Sequence, residues 1–333
     1  MLIAFSIGDN DIDESIALGA EKLGHEVIKF YWESENEVLN KISNVDVAFL
    51  PVHRLLKSPF CNKTFIEKLN NCKCNVVLTI VDEPRIVSRV SSKISPYYKR
   101  MIWPHTLQCL DSYSNCEKLI LEPIMGEPFW YSKQDIKKEY DVVFNGSIYS
   151  FRIDFLKALT PKLEEKGVNF KILSRYKDIG ISKEHFLNHS NQLLSHAVLN
   201  KIYNQSKILL LFGSFADAMD HYSEEDLKNI DSTLGRSGGY PCRFSSFAGS
   251  GEFILADKRK ETNRYFEEGS EIVTYNSIDE CVEKIEYFLS YDEEREKIAK
   301  AGHERYLKDH TIDIRIQKVL ETIMSDTESL KIK

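Results

Sequence analysis

The chain is predicted to be an α/β protein of two domains, each built on a parallel sheet. Three observations carry this. Apolar, β-rich runs alternate with helical periodicity, the polar stretch Tyr131–Glu139 separates two such series, and 333 residues exceed what one hydrophobic core usually fills. The boundaries expected are 1–135 for a first domain, 136–312 for a second, and 313–333 for a terminal helix that could return to the first.

In order, Leu2–Ile7 is an apolar run ending in Gly8-Asp9-Asn10-Asp11. Ile16, Ala17, Ala20 and Leu23 then recur at helical spacing, and Gly24 stops the helix. His25–Trp32, Val45–Leu50 and Asn75–Val81 read as further strands, with helical segments between them. The second series opens with Tyr140–Gly146 and continues through Asn169–Leu173, Lys207–Phe212, Phe253–Ala256 and Glu271–Tyr275. Its helices are expected over 150–166, 243–249, 278–290 and 292–307. The polar segment 178–206, carrying His185, His189 and His196, reads as a solvated helix pair, since no ligand triad for a metal is legible in it.

Composition limits the partners. A formal charge of −7 supplies no global attraction to nucleic acid or to anionic membrane. The longest apolar run, around Lys207–Phe212, is far short of the roughly 20 residues that span a bilayer. The amino terminus lacks a basic region before its apolar stretch, so a cytoplasmic protein is expected. Seven scattered cysteines, with no paired C-x-x-C spacing, read as reduced structural thiols.

Ligands of an open parallel sheet bind beyond the carboxyl ends of its strands, and two such domains would hold a site between them. Three constellations fall at such ends. In Phe144-Asn-Gly146-Ser147 leading to Arg152, a strand gives way to a glycine turn and an arginine in the next helix, a pattern that lets phosphate approach backbone N–H groups. Gly235, Arg236, Gly238, Gly239, Tyr240 and Arg243, followed by Ser245, Ser246 and Gly249, form a denser turn of the same kind. Asp82, with Glu83, follows the fourth strand, and Asp9 and Asp11 follow the first; either group could supply a general base or simply cap a helix. His53 and His105 are weaker base candidates.

The segment from Pro241 to Thr311 resembles the C-terminal domain of GT-B glycosyltransferases of group 1 type, including the CgeB-like proteins. The landmarks are Arg243-Phe-Ser-Ser-Phe-Ala-Gly-Ser-Gly251, Tyr265-Phe-Glu-Glu-Gly269-Ser-Glu271-Ile-Val-Thr-Tyr275, Ser277–Ile285, Glu293–Gly302 and His310-Thr311. Asp141–Arg152 resembles the start of the same donor domain. The resemblance implies two Rossmann-like domains facing each other across a cleft. The second domain would bind a nucleotide-diphosphate sugar as donor substrate, with no other cofactor and no metal. The first would bind an acceptor hydroxyl. It places Arg152 and Arg243 at the diphosphate and Arg175 near the nucleotide base; with the glycine turns and hydroxyls read above, the donor set is Gly146, Ser147, Arg152, Tyr240, Arg243, Ser245 and Ser246, and Asp9 or Asp82, beyond strands of the first domain, would be the base of an inverting reaction. The sequence departs from the family where a glutamate is usual: Ser246 and Gly238 occupy the two acidic positions of the E-x7-E pattern. Two alternatives therefore stand beside the transferase. One is an inactive nucleotide-binding protein; the other is a phage-type DNA-base glycosyltransferase, for which Lys57, Lys99 and Arg100 could line a basic groove.

Overall fold

A computed structural model describes residues 1–7, 11–81, 87–124, 130–148, 151–190, 192–212, 239–240 and 243–325. Contacts divide the chain into two compact units, Met1–Gly126 with Thr311–Lys333, and Glu127–His310.

The first unit runs β1 (Leu2–Ser6), α1 (Asp11–Lys22), β2 (Glu26–Phe30), α2 (Glu35–Ile42), β3 (Val47–Pro51), α3 (Val52–Lys57), α4 (Lys63–Asn70), β4 (Asn75–Ile80), α5 (Val87–Lys93), β5 (Met101–Pro104) and β6 (Lys118–Leu119). Its strands form one parallel sheet in the order β2-β1-β3-β4-β5-β6. β1 and β3 are almost continuously apolar because both faces are covered. Ile3, Phe5, Val47 and Phe49 point to one core, while Ala4, Ala48 and Leu50 point to the other. The strands β5 and β6, too short and polar-flanked to stand out in the sequence, complete the sheet edge.

The chain returns to this unit as α12 (Ile312–Met324). Ile312, Ile316, Val319, Leu320 and Ile323 join the α1 face of the core. The approach is close at Gly19, where an added Cβ would stand 3.0 Å from the Ile312 side chain and 3.2 Å from its carbonyl carbon. Lys22 pairs with Asp313 at 2.7 Å, and Arg315 donates to the Glu122 carboxylate.

The second unit runs β7 (Tyr140–Asn145), α6 (Phe151–Glu165), β8 (Phe170–Arg175), β9 (Phe186–Asn188), α7 (His196–Asn204), β10 (Ser206–Leu211), α8 (Arg243–Ser250), β11 (Phe253–Asp257), α9 (Thr262–Tyr265), β12 (Val273–Tyr275), α10 (Ile278–Ser290) and α11 (Asp292–Asp309). Its strands also pair in parallel, in the order β12-β11-β10-β7-β8-β9. The expected solvated helix pair over 178–206 is corrected here. A 3-10 turn (Lys183–His185), the edge strand β9 and the single helix α7 occupy it. His185, expected to be solvated, is buried, with ring nitrogens 3.0 Å from the Phe170 carbonyl and 2.7 Å from Glu164. Its hydrogen bonds to the neighbouring strand and helix, invisible to periodicity, tie this edge down.

The stretch 131–139 has no regular secondary structure and is fastened to the second unit. Lys133 and Lys138 reach the buried Glu252 carboxylate at 2.5 and 2.6 Å, and Asn204 accepts from the Gln134 amide at 2.6 Å.

Six described cysteines are free. Burial raises the thiol pKa values of Cys61, Cys72, Cys74, Cys116 and Cys281, that of Cys74 to about 11 and that of Cys116 to about 12. Such thiols are neutral and poorly nucleophilic near pH 7.

Capping closes α10: the Ser277 hydroxyl accepts from the Glu280 amide at 3.1 Å. Ser277→Ala is expected to cost about 1 kcal/mol, read as a fall of roughly 2–4 °C in melting temperature; an unchanged melting curve would contradict the cap.

Candidate functional site at the carboxyl edge of the second sheet

The strand expected at 140–146 is present as β7, and the chain bends at Gly146. β7 ends at Asn145, Gly146 follows, and α6 begins at Phe151. Beside it, α8 begins at Arg243, immediately past the turn that the sequence marked. The Arg243 Nη1 donates to the Asn145 carbonyl at 2.8 Å. The Arg152 Nη1 donates to the Ser147 carbonyl at 3.0 Å, and its guanidinium carbon stands 5.9 Å from the Phe144 ring centroid.

Both arginines converge on Gly146. A Cβ built there would fall on Arg243 Nη1, 2.8 Å from Phe144 Cζ and 3.0 Å from Arg152 Nη1. The absence of a side chain lets two guanidiniums crowd the strand end. Arg152 is only 2% exposed, so its charge is fixed in place. Arg243 meets no carboxylate among the described residues and is bonded instead to a backbone carbonyl. A neutral carbonyl orients the Arg243 guanidinium without cancelling its charge.

The Asn145 side-chain amide donates to the Tyr203 hydroxyl. Tyr203 stacks on Tyr131 at 5.6 Å and meets Phe247 of α8 edge-on at 4.9 Å. An aromatic column thus fixes both the strand end and the helix whose first residue is Arg243. Sequence reasoning missed Asn145, although its place as the last strand residue before Gly146 was the available signal.

A second cluster lies at the end of β11. Arg259 makes two bonds to Asp257, at 3.3 and 3.1 Å, and a third to the Gly239 carbonyl at 2.5 Å. Its guanidinium carbon lies 5.1 Å from the Tyr240 ring centroid. The Tyr240 hydroxyl is shared with Thr262 at 2.8 Å and with the Asp257 carbonyl at 3.2 Å. Burial first, then the Asp257 charge, raises the Tyr240 pKa, so the phenol stays neutral. This clip holds the described end of the glycine-rich turn against β11. Arg259 also went unrecognised; an opposite-charge pair directly after the apolar strand Phe253–Ala256 was its signal.

The remaining predicted residues divide as follows. Gly146, Ser147, Arg152 and Arg243 come together. Arg175 is exposed at the end of β8, whose Leu173 carbonyl accepts from the Gly146 amide at 3.3 Å, so it occupies the same sheet edge. Tyr240 is enclosed in the Asp257–Arg259 clip. Ser245 and Ser246 lie within α8 and are 1% and 3% exposed. Asp9, Asp82, Gly235, Arg236 and Gly238 lie outside the described residues. His105 is buried and His53 half-buried in the first unit.

The three cations considered for a basic groove separate. Lys57 follows the carboxyl end of β3, whereas Lys99 and Arg100 precede the amino end of β5 in the same parallel sheet. Arg100 is moreover committed to the Cys72 and Cys74 carbonyls at 2.9 and 2.6 Å. No described helix is long and apolar enough to cross a membrane.

Gly146→Ala tests the convergence. The methyl group would displace both guanidiniums, so affinity for an anionic ligand at this edge is expected to fall about tenfold. An unchanged affinity in isothermal calorimetry would place the ligand elsewhere.

A family model described as glycosyl transferase-like matches residues 152–321, just over half of the chain. By sequence alone, none of the curated proteins compared matches. Among solved structures, a glycosyltransferase of Rickettsia africae aligns over 98% of this chain and 99% of its own, with TM-score 0.64 and 10% identity. The T4 phage BGT, in complex with its substrate UDP-glucose, aligns over 98% and 100%, with TM-score 0.60 and 14% identity. Anabaena HepE in complex with UDP aligns over 97% and 99%, with TM-score 0.58 and 9% identity. These likenesses show an α/β fold of the GT-B class.

Proposed function

We propose, from the premise that this chain belongs to the glycosyl transferase-like family, that its second unit binds a nucleotide-diphosphate sugar at the edge formed by Gly146, Arg152 and Arg243. The sugar then passes to an acceptor hydroxyl. The single observation that carries this reading is the meeting of two guanidiniums at a glycine strand end. Transfer breaks the bond between the anomeric carbon and the diphosphate, and negative charge develops on the departing oxygen. Groups already oriented toward that position stabilise it without reorganising. Arg152 and Arg243 supply such charge, with backbone N–H groups of the glycine turn beside them.

Metal independence is part of the proposal: two guanidiniums provide the positive charge that a divalent ion would otherwise supply. The bound nucleotide of HepE and the bound UDP-glucose of the phage enzyme make uridine nucleotides the first donors to try. Arg175 is positioned on the same edge for the nucleotide base. In an inverting reaction Asp9 or Asp82, which follow β1 and β4, would take the proton from the acceptor hydroxyl.

The deciding experiment is a panel of UDP-, GDP- and CDP-sugars, followed by calorimetry for binding and mass spectrometry for hydrolysis or transfer. Saturable binding of at least one donor with slow hydrolysis is expected, in buffer containing a chelator. Folded protein that binds none of them would overturn the proposal. Binding without turnover would favour a binding protein, the outcome to which Ser246 in place of glutamate points.

A further inference from the structure

The first unit carries a pocket of 270 Å³ lined by Trp32, Glu33, His53, Arg54, Lys57 and Phe60 among others. It lies where ligands of a parallel sheet bind: Trp32 follows the end of β2, and α3, which carries Arg54 and Lys57, follows β3 directly.

Arg54 is the organising group. Its Nη1 donates to the Ile7 carbonyl and its Nη2 to the Trp32 carbonyl at 3.3 Å. Its guanidinium carbon stands 5.1 Å from the Trp32 ring and 5.3 Å from the Tyr31 ring. The fork is therefore anchored at the ends of β1 and β2 by neutral carbonyls, and its charge is not cancelled. Among the described residues neither Arg54 nor Lys57 pairs with a carboxylate. Trp32 is 5% exposed, fixed by a bond from its indole to Ser6, and set against Phe60 with ring centroids 5.3 Å apart.

A rigid planar cation, a second cation on an exposed stem and a fixed aromatic wall suit a phosphate attached to a small ring-shaped molecule. The volume, just below the range of drug-sized ligand pockets, takes one monosaccharide-sized unit rather than a polymer. We propose that this pocket binds the phosphate of a small phosphorylated carbohydrate, and that this molecule is the acceptor of the sugar. The inference rests on the transferase reading above and names its acceptor class. In the reaction, an acceptor hydroxyl oxygen bonds to the donor's anomeric carbon. The bond from that carbon to the diphosphate oxygen breaks, the nucleoside diphosphate leaves as an anion, and the hydroxyl proton passes to a base or to water.

The test uses the full chain and calorimetric titration with hexose phosphates, the matching free hexoses, inorganic phosphate and a short DNA oligonucleotide. At least one hexose phosphate is expected to bind tenfold or more tightly than its free hexose, and more tightly than inorganic phosphate, because one charge-assisted hydrogen bond is worth about that ratio. Lys57→Gln is expected to lower that affinity about tenfold, and Arg54→Gln by at least as much. Arg54 also holds two backbone carbonyls, so Lys57→Gln decides the matter if Arg54→Gln unfolds. Equal affinity for phosphorylated and free hexoses, no binding of either, or an unchanged affinity in Lys57→Gln would overturn the inference. Binding of the oligonucleotide alone would overturn it in favour of a nucleic-acid acceptor. Donor affinity is measured in the same preparation: if donors bind and hexose phosphates do not, the acceptor assignment fails alone, whereas absent donor binding overturns the transferase reading independently.

Discussion

Arg243→Ala is expected to lower nucleotide-sugar affinity at least about 100-fold, because a guanidinium making two charge-assisted hydrogen bonds to a diphosphate contributes roughly 3 kcal/mol or more. The structure says why this arginine should matter so much. Its one hydrogen bond among the described residues, to the Asn145 carbonyl at 2.8 Å, positions the guanidinium without neutralising it. The fold should survive, since that bond is worth only about 1 kcal/mol. The check is calorimetry with the tightest-binding donor beside a thermal melt. Donor affinity within fivefold of the parent, in protein with a near-parental melt, would remove Arg243 from the diphosphate site.

Asp257→Ala is expected to destabilise the second unit by about 3–5 kcal/mol, because it removes one partner of a buried ion pair, the carboxylate that accepts two hydrogen bonds from the Arg259 guanidinium. The Arg259 side chain is 1% exposed and makes two of its hydrogen bonds to this carboxylate. For a unit of this size the melting temperature should drop by roughly 6–20 °C. The double variant Asp257→Leu with Arg259→Met should recover most of the loss, since replacing both members of a buried pair with apolar groups is often near neutral. A single variant that melts within about 2 °C of the parent, under 1 kcal/mol on the same scale, would show the pair to be solvated. The recovered double variant also asks whether the Gly239–Tyr240 end of the turn must be clipped for donor binding.

Much of the fold was legible because its strands are buried on both faces. Runs such as Val47–Pro51 and Ser206–Leu211 have little polar interruption, so the α/β alternation stands out. The short edge strands β6 and β9 did not, since their two or three residues include a polar one and form no apolar run. In the site, Gly146, Arg152 and Arg243 were readable as residue types that suit a phosphate. Asn145 and Arg259 offered only positional signals, the last residue of one strand and a charge pair after another, while the contacts that give them their roles reach partners distant in sequence, Tyr203 and Gly239.

The sequence alone determined the fold class and the kinds of residue at the edge proposed for the donor, since hydrophobic period, turn chemistry and strand ends are local properties. Tertiary structure decided three things that local pattern cannot hold. It brought Arg152 and Arg243, 91 positions apart in the chain, onto one glycine. It returned α12 to the first unit through the close contact of Ile312 with Gly19. It separated Lys57 from Lys99 and Arg100 by placing them at opposite ends of one parallel sheet. Each depends on which strands lie side by side and on where their ends fall. That is settled by burying two faces of a sheet at once, not by any stretch of sequence taken by itself.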